Sequence, residues 1–442
     1  MAHTLILDPS RQALADRLSD ARAETDRLFS ILQQGALYER PIPERHRLIF
    51  YLGHLEAFDW NLIARRAFGV EPFHAAYDKL FAFGIDPIGG GLPNEPPSDW
   101  PEAPAVRSYN HRVRTIVDEC LAGGRVPLEG TDIETTFQMA IEHRLMHAET
   151  LAYLFHQLPF NAKVPVAGAP VPVPVGAARL RDVDIPEGDA TLGRGREERG
   201  FGWDNEFERL RVHVPSFSID SHKVTNGRFL EFVREGGYEK RELWSDAAWE
   251  WKSRERLKRP QFWLERDGAL LYRGMFAEVL LPLDAPVYVS HAEASAFARW
   301  SGRALPTEPQ FHRAAYGNPD GGESEYPWGA EPPSDRNGNF DLRRWDPTPI
   351  GAFPGGDSAF GVSELVGNGW EWSSSVFGPF PGFRPHPDYE GYSANFFDGE
   401  HFVQKGGSPR TAASMLRRSF RNWFQPHYRY VYAGFRTAGP RG

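Results

Sequence analysis

Glu142-His143-Arg144-Leu145-Met146-His147-Ala148-Glu149 lies inside a run, residues 131–156, whose apolar side chains recur at three- and four-residue spacing. That periodicity predicts a helix. Residues four apart on a helix stand about one turn above one another, so His143 and His147 leave the same face, with the carboxylate of Glu149 two residues further on. Two imidazoles on one rigid face are most of a facial metal site, although a chain with fifteen histidines also yields such a pair by chance. A third histidine bears on the choice. His54 stands in Leu48-Ile49-Phe50-Tyr51-Leu52-Gly53-His54-Leu55-Glu56-Ala57-Phe58-Asp59-Trp60, a second helical and strongly apolar run. Burying an imidazole there is costly unless its nitrogens are satisfied, which a shared metal or an ordinary core hydrogen bond would do.

Working outward, residues 13–32, 46–68 and 105–121 carry the same helical spacing, with Pro and Gly clusters between them. Four such helices predict an antiparallel bundle filling a first domain, residues 1–160. The connection 69–104 is long and includes Gly89-Gly90-Gly91, a length often tied to function. Residues 161–178, with Pro170-Val171-Pro172-Val173-Pro174, predict an extended interdomain linker. From 179 to 442 the texture changes to short β-like runs, aromatics and turn residues, with helices expected near 291–301 and 308–315. An α+β domain rich in irregular loops fits that texture.

A chain of 442 residues is too long for one ordinary core, which agrees with two domains. A net charge of −9 without a Lys/Arg-rich run argues against nucleic acid or an acidic membrane as a partner. No stretch approaches the ~20 apolar residues that span a bilayer, and Met1–Asp8 lacks the charged start and apolar run of a secretory signal. A cytoplasmic protein is expected. Cys120 is the single cysteine, so an intrachain disulfide and a thiolate cluster are excluded. A bound metal would take nitrogen and oxygen ligands.

Several separated phrases in the second half belong together: Gly200-Phe201-Gly202-Trp203-Asp204-Asn205-Glu206, Val224-Thr225-Asn226-Gly227-Arg228-Phe229, Leu305-Pro306-Thr307-Glu308, Val366-Gly367-Asn368-Gly369-Trp370-Glu371-Trp372, Lys405-Gly406-Gly407-Ser408 and Ala433-Gly434-Phe435-Arg436. The pattern resembles the formylglycine-generating-enzyme-like (sulfatase-modifying-factor) domain, a C-type-lectin-like fold. The helical half resembles a DinB-like four-helix bundle. Joined in one chain they resemble the ergothioneine-type sulfoxide synthases and the related selenoneine synthases. The formylglycine-generating branch itself needs paired cysteines in the lectin-like domain, and the single cysteine here is in the helical half.

The resemblance implies iron(II), Fe(2+), held by His54, His143 and His147, with open positions for reactants. It implies hercynine as acceptor, dioxygen as oxidant, and a carbon–chalcogen bond formed at imidazole C2. Glu149 would orient a ligand histidine. Tyr392, in Gly391-Tyr392-Ser393-Ala394-Asn395, matches the family's catalytic tyrosine, with Tyr389 close by. Asn422 and Trp423 match residues that hold the carboxylate and trimethylammonium of hercynine, an indole face suiting a quaternary ammonium.

Two departures concern the donor. Relatives that use γ-glutamylcysteine carry an aspartate after the tryptophan and a glutamine before the second histidine; this chain has Phe424 and Met146. Neither replacement makes the polar contacts of the residue it replaces. The expectation is a donor other than γ-glutamylcysteine, preferably a selenosugar, which would place the chain in selenoneine biosynthesis; the alternative is an ergothioneine-pathway sulfoxide synthase that uses cysteine or γ-glutamylcysteine. Two other classes stay open: a zinc-dependent DinB-like thiol transferase, which needs no oxygen, and a ligand-binding module without catalysis.

Overall fold

The computed structural model describes residues 9–82, 96–165, 178 and 180–440. Met1–Asp8, Gly89-Gly90-Gly91 and the greater part of the Pro-rich linker lie outside the described residues. The chain divides into two compact units, Met1–Gly168 and Ala169–Gly442.

The first unit holds α1 (Pro9–Ser30), α2 (Leu48–Asp59), α3 (Ala75–Leu80), α4 (Ala103–Leu121) and α5 (Ile133–Gln157). Helix α1 packs along α5, and α2 along α4. Asp132 starts α5 by accepting the Thr135 N–H. Every residue of α2 except Phe58 is buried, as a helix apolar all round requires. The single helix expected over 46–68 is in fact α2 continued by a π-helix, Trp60–Ala67. Apolar spacing over one or two turns does not distinguish the α bonding pattern from the wider π one. Gly53 has a specific reason to lack a side chain: a Cβ there would stand 2.6 Å from the ring of Phe81.

The second unit is built on a four-stranded sheet. Asn422–Phe424 lies beside Phe402–Lys405, which lies beside Trp370–Val376, all antiparallel; Ala433–Gly434 closes the far edge in parallel. A second sheet joins Asp182–Ile185, Phe217–Asp220 and Ala438–Gly439, with Phe217–Asp220 in the middle and the first and last described strands antiparallel on either side of it. Helices α6 (Asn226–Arg234), α7 (Asp246–Arg254), α8 (His291–Trp300) and α9 (Glu308–Tyr316) complete it. The last two fall where the spacing expects them, opened by the capping boxes Ser290/Glu293 and Thr307/Gln310. The first two were missed, although Thr225 and Ser245 cap them in the ordinary way.

Much of the remaining backbone is loop, held by buried polar groups. Asn368, at φ +59° between Gly367 and Gly369, accepts the Thr348 N–H at 2.8 Å and donates to the Thr348 carbonyl at 2.9 Å. Among the described residues no helix is long and apolar enough to cross a membrane.

Candidate metal centre

His54 comes from α2, and His143 and His147 from α5. One ring nitrogen of each lies within 4.8 Å of the other two, and all three side chains are buried. The Nε2 atoms of His143 and His147 are 3.1 Å apart. Two adjacent ligands at right angles, each about 2.1 Å from a metal, stand about 3.0 Å apart.

The surroundings fix which nitrogen can ligate. His54 Nδ1 is 2.6 Å from the Phe81 carbonyl. A carbonyl only accepts, so Nδ1 carries the proton and Nε2 keeps the lone pair. Phe50 stacks on the His54 ring at 4.9 Å, and Phe58 on His143 at 3.5 Å with the planes 10° apart. His147 Nδ1 is buried and has no hydrogen-bond partner among the described residues. Burial lowers His54 to about 4 and holds His143 and His147 well below the ordinary imidazole range, with the positive groups nearby acting in the same direction. Neutral imidazoles are the form that binds metal. Three buried neutral nitrogens on two rigid helices fit a divalent first-row cation with positions left open.

Met146 and Glu149 are half-buried on the same helix α5. In the second unit, Tyr392 is buried, stacks on Trp203 at 3.9 Å and meets Trp423 edge-on at 5.4 Å. Phe377 lies parallel to the Trp423 indole at 4.2 Å, and Phe424 stacks on Tyr428 at 4.9 Å. Asn422 Nδ2 donates to Gln404 Oε1 at 3.0 Å. The register pairs Asn422 with Gln404, Trp423 with Val403 and Phe424 with Phe402. Side chains alternate along a strand, so Trp423 stands on the Tyr392 side while Asn422 and Phe424 share the other face.

Three contacts to the histidines went unread in the sequence. Phe50 and Phe58 stand four residues either side of His54, a spacing that was there to be used. The Phe81 carbonyl leaves no sequence signal.

A family model for the Sulfatase-modifying factor enzyme 1-like domain matches residues 172–440, and one for the DinB superfamily matches residues 17–151. The hercynine oxygenase of Mycobacterium tuberculosis is 37% identical over 336 residues, covering 75% of this chain and 77% of that one. The hercynine oxygenase of Mycolicibacterium smegmatis is 34% identical over 443 residues, 97% of this chain and 99% of that one. The chain belongs to the hercynine oxygenase family. It also resembles ergothioneine biosynthesis protein 1 of Neurospora crassa, at 28% identity over 92% of this chain and 55% of the fungal one. The DinB match falls on the helical unit and the sulfatase-modifying-factor match on the β-containing unit described above.

Proposed function

We propose that the chain catalyses oxygen-dependent formation of a carbon–selenium bond at imidazole C2 of hercynine, with iron(II) on His54, His143 and His147 and a selenosugar as donor. The observation that carries this is the cluster of three buried, neutral imidazoles in a member of the hercynine oxygenase family. Iron(II), when bound, supplies the one-electron chemistry with dioxygen, the oxidant of the coupling.

The chain's own groups do the rest. The Phe81 carbonyl and the Phe50 ring fix the plane of His54, and Phe58 fixes that of His143. Tyr392 carries a phenolic proton and serves as its donor during the coupling. Trp423, its plane set by Phe377, offers an aromatic face to the trimethylammonium group, and Asn422 an amide to the carboxylate.

The donor assignment rests on Phe424 and Met146. Phe424 is stacked on Tyr428, so the position that would pair with an amino group as aspartate holds a phenyl ring with no charge to offer. A thioether and a phenyl ring at these two positions, in place of an amide and a carboxylate, favour a soft selenium donor over a zwitterionic thiol.

The test is aerobic incubation of the iron-loaded protein with hercynine and, separately, a selenosugar, cysteine and γ-glutamylcysteine, read by mass spectrometry. A hercynine adduct containing selenium, absent under nitrogen, is expected. Product from a thiol alone retires the selenium donor, and oxygen-independent turnover with zinc bound retires the oxygenase.

A further inference from the structure

Arg144 follows His143 directly on α5, yet its side chain is completely buried. Its Nη2 donates to Asp59 Oδ2 at 2.7 Å, Glu56 Oε2 at 2.9 Å and the Leu55 carbonyl at 3.1 Å. Its Nη1 donates to Glu56 Oε1 at 3.1 Å and Thr25 Oγ1 at 3.3 Å. Glu56 also accepts Nε and Nη2 of Arg114 at 2.9 and 2.7 Å, and Arg114 forks onto Asp26 at 2.6 and 2.8 Å. One ionic knot therefore ties α1, α2, α4 and α5 together. On α2 its acceptors are Leu55, Glu56 and Asp59, the residues that follow His54, and the α geometry ends at the next residue, Trp60.

Stability does not explain the knot. Removing charges from water costs several kcal/mol per ion, and apolar residues of similar volume often replace buried ion pairs at no loss. What an apolar core lacks is direction. A planar guanidinium held by two carboxylates and a carbonyl accepts one rotation and one axial position of α5 against α2. Shifting α5 by one residue turns it by about 100°, which would carry His143 and His147 off the face that meets His54. Metal ligands have to be held to within about 0.5 Å.

We propose that Arg144, with Glu56 and Asp59, is a positioning residue that sets the placement of His143 and His147 relative to His54. The proposal rests on the three histidines holding a divalent metal, whichever donor the enzyme uses.

The experiment titrates the full chain with Co(II), reading affinity and the visible ligand-field bands, and records thermal unfolding of the same samples. Four proteins are compared: wild type, Arg144→Lys, the apolar triple variant Glu56→Leu/Asp59→Leu/Arg144→Met, and His147→Ala. Arg144→Lys keeps the charge and loses the fork. Both knot variants are expected to bind Co(II) about 10- to 100-fold more weakly with shifted bands, and a folded triple variant to melt no lower than wild type. His147→Ala is expected to lose tight binding. Wild-type affinity and bands in Arg144→Lys, or in a folded triple variant, overturn the positioning role; if the triple variant does not fold, Arg144→Lys decides. If wild type and His147→Ala take up Co(II) alike, the metal site itself is refuted and the inference falls with it.

Discussion

The helical unit buries Arg144 against Glu56 and Asp59, whereas the second unit buries Arg436 and Lys223 against Glu371, and the two ion clusters hold different kinds of backbone. In the helical unit the backbone bonds are closed within the helices, and the knot runs mainly between side chains. In the second unit the spare donors go to carbonyls at a strand end and in loops. Arg436 reaches those of Asp220, Ser221 and Ser363 at 3.0, 3.2 and 3.0 Å, and Lys223 those of Glu364 and Gly367. Buried carbonyls without a helix or strand partner need a donor from elsewhere. Charge in the second unit thus replaces regular structure, while in the first it orients regular structure that already exists.

The largest effect should follow from Glu371→Gln. It replaces the carboxylate that the buried Arg436 and Lys223 share by a neutral amide, and breaking a buried ion pair on one side costs about 3–5 kcal/mol. Chemical unfolding measures it, and a loss under ~1 kcal/mol would dissolve the contrast with the helical knot. The wild type adds a pH signature. Burial acts to raise Glu371, but Arg436 and Lys223 outweigh it and hold the carboxyl below its usual range. A depressed carboxylate contributes stability that is fully present above its unfolded pKa of about 4.3 and is lost as pH falls through the folded value. Acid unfolding of wild type should carry this step, and Glu371→Gln should lack it.

Next in size is Tyr392→Phe. The ring keeps its stack on Trp203, so the fold should stay intact and metal content should be unchanged. Product formation should fall about 100-fold if the hydroxyl is the proton donor. Normal turnover removes Tyr392 from that role and directs attention to Tyr389, whose ring lies 5.6 Å away.

The same contrast explains what could be read in advance. The bundle was legible because helix periodicity repeats over many residues, and the α5 histidine pair because a helix converts sequence spacing into direction. Beyond helices α8 and α9, the second unit was legible only as phrases. Gly367 at φ +84°, Gly406 at φ +97° and the Arg436–Glu371 pair hold loops that no period marks. The split of Asn422 and Trp423 onto opposite faces depends on a three-residue strand, too short to show alternation. The Phe81 carbonyl, 27 residues from His54, is set by tertiary packing alone.

Gly53→Ala tests that packing with a smaller change. Alanine in an open helix position gains roughly 1 kcal/mol over glycine. Here the added methyl meets the Phe81 ring at 2.6 Å, and overpacking costs about 1–3 kcal/mol. Net destabilisation with weaker Co(II) binding is expected, because Phe81 must shift and its carbonyl holds His54. A rise in stability with unchanged metal affinity would show that the contact does not constrain the site.

The smallest effect should come from Arg266→Ala. Arg266 grips Glu278 at 2.6 and 2.5 Å, the same two-pronged geometry with which Arg436 grips Glu371 at 2.6 and 2.7 Å. The Arg266 side chain is 63% exposed, against 0% for Arg436. Water already solvates the separated Arg266 and Glu278 and screens the pair, so the unfolding midpoint should not move measurably. With bond geometry held constant, any difference from Glu371→Gln comes from burial and from the backbone carbonyls that Arg436 and Lys223 also hold. A shift as large as that of Glu371→Gln would mean that the fork itself, and not its removal from water, carries the energy.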